Sequence, residues 1–92
     1  MFTLDDFAGR VGDTFRATAA DTPELQLRLA EANAYQGSST RFSLVFVHPG
    51  AGGHLPQQIL AFEHAELGAF DLFVVPIGPG PEGMRYEAII NT

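Results

Sequence analysis

Apolar and polar residues alternate with period two along most of this chain, the pattern of strands with one buried and one exposed face. At residues 14–19, Phe15, Ala17 and Ala19 interleave with Thr14, Arg16 and Thr18, and Asp21-Thr22-Pro23 follows as turn chemistry. Residues 24–34 are rich in the helix formers Glu, Leu, Gln, Arg and Ala. Leu25, Leu27 and Leu29 nevertheless recur at every second position, so the segment reads as a strand. After the small polar loop Gly37-Ser38-Ser39-Thr40, residues 41–48 (RFSLVFVH) form the clearest strand of the chain. Residues 49–56 (PGAGGHLP) are too glycine-rich for regular structure.

Residues 59–63 and 68–77 then read as a hairpin about Ala65-Glu66-Leu67-Gly68, with Pro76, which has no N–H to donate, expected to end the pairing. A second turn, residues 78–83 (GPGPEG), leads into a last strand at 84–91, where Tyr86, Ala88 and Ile90 oppose Arg85, Glu87 and Ile89. Before the first strand, Thr3 stands as an N-cap ahead of Leu4-Asp5-Asp6-Phe7, and Gly9 follows. This predicts a short helix over residues 4–9 whose Leu4 and Phe7 cover one end of the core. Asp5 and Asp6 are explained by that helix start better than by acid and base chemistry.

Six short strands joined by tight turns predict a mainly β fold: a six-stranded antiparallel meander curled into a small barrel or sandwich, with a short N-terminal helix. At 92 residues it is expected to be one domain, residues 1–92. Two strands are apolar on both faces. Phe42, Leu44 and Phe46 stand against Val45 and Val47, and Leu72 and Val74 against Phe73, Val75 and Ile77. A sheet with one wet face alternates more cleanly, so something must cover the second face. The short helix is a small cover, and the expectation is an interface through Val45, Val47, Phe73, Val75, Ile77 and Ile89, made first with another copy of the chain in a homo-oligomer, or else with another protein.

Charge removes several alternatives. Eleven acidic residues oppose five basic ones, all arginine, for a formal charge of −6. Such a surface repels phosphate backbones and anionic lipid, so neither nucleic acid nor a membrane is an expected partner. Arginine without lysine, beside abundant alanine and glycine, follows from codon usage before function. With no cysteine there is no disulfide or thiolate chemistry. The N-terminal residues lack a basic stretch followed by an apolar run, so a cytoplasmic location is expected, or export within an assembly that needs no signal peptide.

Candidate chemistry is sparse. His48, His54 and His64 flank the glycine-rich loop at spacings of six and ten, and could act as imidazole ligands for a metal, with Glu63 or Glu66 completing the set. No His-x-x-x-His pair fixes two of them on one element. The PGAGG stretch could form an anion nest, but it lacks the lysine and following hydroxyl of a P-loop. Ser38, Ser39 and Ser43 have no Gly-x-Ser-x-Gly elbow. No catalytic residue and no cofactor is assigned.

The segments TLDDFAGRVGDTF, LPQ, FEHAELGAFDLFVVPIG and MRYEAIIN resemble a family of small bacterial proteins defined as a domain of unknown function. The likeness spans nearly the whole chain. It is carried by Leu55-Pro56-Gln57, Glu63-His64, Leu67-Gly68, Val75-Pro76 and Tyr86-Glu87-Ala88. It implies no catalytic residue. It does imply association with phage-tail-collar-like proteins, hence an accessory part in a tail-like or fibre assembly. The expected function is a non-enzymatic structural or protein-interaction module that self-associates or docks on a larger partner. The alternative is a small ligand- or metal-binding accessory protein that uses the His48, His54 and His64 region.

Overall fold

In a computed structural model, which describes residues 2–20, 22–35, 38, 40–50 and 55–91, the strands close into an antiparallel six-stranded barrel. One helix, α1 (Leu4–Ala8), precedes β1 (Thr14–Ala19), β2 (Thr22–Ala34), β3 (Arg41–Pro49), β4 (Gln58–His64), β5 (Gly68–Pro79) and β6 (Gly83–Asn91). The leucine-rich segment is a strand, as its period-two leucines require, despite its helix-forming composition.

The order around the barrel is β1-β2-β3-β6-β5-β4, which differs from the simple meander expected. Two three-stranded meanders are joined twice, β3 to β6 and β4 to β1. The chain leaves β3 at Pro49 and starts β4 on the far side of the ring, so local turn chemistry cannot dictate the order. At the end where β4 starts, the Leu55 N–H donates to the buried Tyr86 hydroxyl at 2.9 Å, and Leu55 packs on the core.

The inward faces are those the alternation indicates. Phe15 and Ala17 of β1, Leu27 and Leu29 of β2, Phe42, Leu44 and Phe46 of β3, Leu60 and Phe62 of β4, Val74 of β5, and Tyr86 and Ala88 of β6 are all buried. The opposite end of the barrel is closed by α1. Its Phe7 is fully buried, with ring centroids 5.9 Å from Phe42, 5.8 Å from Phe70 and 6.4 Å from Phe15. Helix α1 begins where expected because the Asp6 carboxylate accepts the Thr3 backbone N–H at 2.8 Å, satisfying a donor that the helix cannot. Asp6 is thereby committed to the cap.

Pairing does not stop at Pro76. Strand β5 pairs with β4 as far as Val74 and with β6 from Val75 to Pro79, with a register shift between Pro76 and Gly78. The proline falls where the strand passes from one neighbour to the other and bulges, so its missing N–H breaks no regular ladder.

Gly83 has φ +151°, and a β-carbon there would overlap the His48 carbonyl oxygen at the point where β6 meets β3. Gly83→Ala is therefore expected to lower stability by roughly 1–3 kcal/mol. Gly9→Ala, at φ −78° with open space around it, is expected to change stability by no more than about 0.5 kcal/mol. Urea unfolding of the two variants checks this, and equal midpoints would contradict the close β3–β6 approach.

Candidate functional site

Closing the ring leaves each strand an outer face, and those faces differ around the barrel. On the β2–β3 side, pairing places Val45 between Glu31 and Glu87, and Val47 between Arg28 and Arg85. Long charged side chains have apolar stems that can lie across short valines. The Arg85 stem lies against Gly80, in the turn between β5 and β6, with its Nε buried. Val45 and Val47 are 6% and 3% exposed within a single chain. These two members of the expected interface are corrected: they are buried within the chain itself and offer a partner almost no surface.

On the β4–β5–β6 side the apolar groups stay uncovered. Phe73 is 52% exposed and Ile59, its direct partner across β4–β5, is 64% exposed. Ile77 and Ile89 are exposed, and Val75 is partly so. Seven of the eight phenylalanines lie in the core or pack against it, and Phe73 is the exception. Ile59 was not among the expected interface residues, because β4 alternates cleanly and does not stand out as doubly apolar. Its parity with Ala61 and Glu63, opposite to that of Leu60 and Phe62, nevertheless marks it as outward.

Carboxylates border this face. Asp71 stands two residues before Phe73 on the same side of β5, and Glu87 pairs directly with Val75. Among the described residues no ion pair engages either one. Four of the five arginines are otherwise occupied, and Arg85 has no ion pair among the described residues. Arg10 donates to the Asp6 carbonyl at 2.8 Å and lies 3.5 Å from Glu66. Arg16 pairs with Glu63 and Glu24, and Arg28 with Glu82. Arg41 donates to Asn91 at 2.6 Å and lies over the Tyr35 ring.

The histidines do not assemble into one centre among the described residues. His54 lies outside those residues, as do Ser39 and the part of the glycine-rich loop at 51–54. Among the described residues His48, at the end of β3, joins no group of three side chains able to ligate a metal. His64 does come together with Asp13 and Glu66, their donor atoms all within 4.8 Å of one another. Yet both ring nitrogens are already engaged. Nδ1 accepts the N–H groups of Glu66 and Leu67 at 3.0 and 3.3 Å, which puts the ring proton on Nε2, where it donates to Asp13 at 2.9 Å. Coordination through Nε2 requires that proton to move to Nδ1, against two N–H donors. The ring also lies 4.5 Å from Phe15. His64 is thus a clasp that closes the β4–β5 hairpin against Asp13, just ahead of β1.

Two shallow clefts border this region. One, of about 400 Å³, is lined by Thr14, Arg16, Glu63 and His64 among others. The other, of about 360 Å³, is lined by Glu24, Arg28 and His48 among others. Their arginines are paired with glutamates.

The family model for DUF6916, a domain of unknown function, matches residues 2–90. The chain belongs to that family. Comparisons with curated proteins and with solved structures each found no match. Among the described residues of this family member, no helix is long and apolar enough to cross a membrane.

His64→Ala removes the clasp and part of a ring contact, and is expected to cost roughly 2–4 kcal/mol of stability. In the native chain, stoichiometric zinc is expected to leave the His64 ring resonances unmoved. A zinc-induced shift or broadening at that ring would contradict the proton assignment.

Proposed function

We propose that this chain is a non-enzymatic protein-interaction module that docks through the outer face of β4, β5 and β6. The observation that carries the reading is the pairing of Phe73 and Ile59, both more than half exposed, with Ile77 further along β5 and Ile89 on β6 also exposed and Val75 partly so. Contiguous apolar surface of this kind, rimmed by polar groups, is characteristic of sites that another molecule covers. The strands close into a barrel, so the outward apolar side chains, more than an open sheet edge, offer a partner its contacts. The committed hydrogen bonds of His64 and the paired charges of the clefts weigh against chemistry there.

The resemblance to chains associated with phage-tail-collar-like proteins is in keeping with an accessory structural part in a tail-like or fibre assembly. In such an assembly a small rigid barrel contributes one sticky face and an otherwise well-solvated surface.

A photo-reactive phenylalanine analogue in place of Phe73, compared with the same analogue in place of Thr18 on the outside of β1, tests the reading in native cells. A discrete cross-linked product from the first position, with none from the second, is expected. Equal labelling from both positions would contradict a dedicated face. Phe73→Ser is expected to lower folding stability by no more than about 1 kcal/mol, since the residue is already half in water and loses chiefly its cross-strand contact with Ile59. Thermal unfolding checks this.

A further inference from the structure

We infer that the occupant of this face is a different protein whose apolar contact residues are accompanied by lysines or arginines, and not a second copy of the chain. The inference rests on the docking face proposed above and adds the chemistry of its partner. Asp71 and Glu87 sit on the same outer face as Phe73 and Val75 and have no ion-pair partner among the described residues. A second copy brings two more carboxylates to the same contact and a further charge of −6, and like charges brought together as water is expelled oppose binding.

The chain also has little with which to answer those carboxylates. It contains no lysine, and Arg10, Arg16, Arg28 and Arg41 are already held by its own acids, amides or carbonyls. Arg85, two residues before Glu87 on the outer side of β6, has no ion pair among the described residues, but its stem packs on Gly80 with its Nε buried, and one such cation cannot answer both Asp71 and Glu87. A partner with flexible cations beside leucine- or phenylalanine-like groups matches both features. The apolar groups displace water from Phe73, Ile59 and Ile89, and the cations reach Asp71 and Glu87 at the rim, where they steer encounter and set specificity.

The test uses the whole chain and three synthetic peptides in which leucine alternates with lysine, glutamine or glutamate, followed by the backbone amide resonances of the protein. The leucine–lysine peptide is expected to move Ile59, Phe73 and Ile89 and to bind about tenfold more tightly than the leucine–glutamine peptide, a difference that raised salt removes. Asp71→Asn with Glu87→Gln is expected to abolish that preference, whereas Phe73→Ser weakens both peptides. Unchanged resonances elsewhere in the barrel report that the variants are folded.

Two results overturn the inference and leave the docking face standing. One is equal binding of the lysine and glutamine peptides at this face. The other is concentration-dependent dimerisation in sedimentation that Phe73→Ser abolishes. If no peptide perturbs the face and the chain stays monomeric, the docking face itself falls, and the inference with it.

Discussion

The ladder between β1 and β4 turns two three-stranded meanders into a closed barrel, and the distribution of apolar side chains depends on it. It consists of Arg16 with Glu63, Ala17 with Phe62 and Thr18 with Ala61. Without it β1 and β4 would each leave a row of unpaired backbone groups, and the inward rings of Phe15 and Phe62, 6.5 Å apart between centroids, would lack their common interior. The Arg16–Glu63 pair on the outer side is well solvated and adds little energy, but it favours this register over a slipped one. Beneath it, Phe7 from α1 fills one end of the barrel, and Tyr86 anchors Leu55 at the other.

A small closed barrel has a fixed interior, and this one is filled mainly by aromatic rings. The remaining apolar residues must find cover on the outside. Val45 and Val47 find it within the chain, in ladders whose direct neighbours are Glu31, Glu87, Arg28 and Arg85. Phe73 and Ile59 face each other, so neither supplies the other with a long polar stem, and Ile89 and Ile77 lie close by. The contrast between these two outer faces, which share a fold and a net charge, carries the functional reading.

Much of the fold was legible from side-chain alternation alone, because each strand's inward set is fixed by parity: Phe15 and Ala17 in β1, Leu27 and Leu29 in β2, Tyr86 and Ala88 in β6. What parity does not reveal is which strands are neighbours. Joining β3 to β6 is a non-local choice, and it decides that Val47 is bracketed by Arg28 and Arg85. Hence a doubly apolar strand could be recognised in sequence while its fate, covered or exposed, could not. Pro76 was readable as a break in regular pairing but not as a bulge, since that depends on β5 exchanging one neighbour for another. The histidine spacing suggested a shared centre, whereas His64 is bound to Asp13, a residue 51 positions away. Ile59 was legible from parity, and Asp71 and Glu87 gained significance only once their apolar neighbours were found exposed.

The central claim is that a closed barrel buries Val45 and Val47 while leaving Phe73 and Ile59 in water. Solvent paramagnetic relaxation, measured with a soluble probe on side-chain-labelled protein at a dilution where it is monomeric, tests this most directly. Strong enhancement is expected at the Phe73 ring and at the Ile59 and Ile89 methyls, with the Val45 and Val47 methyls shielded. Shielding of Phe73 and Ile59 equal to that of the two valines would contradict it.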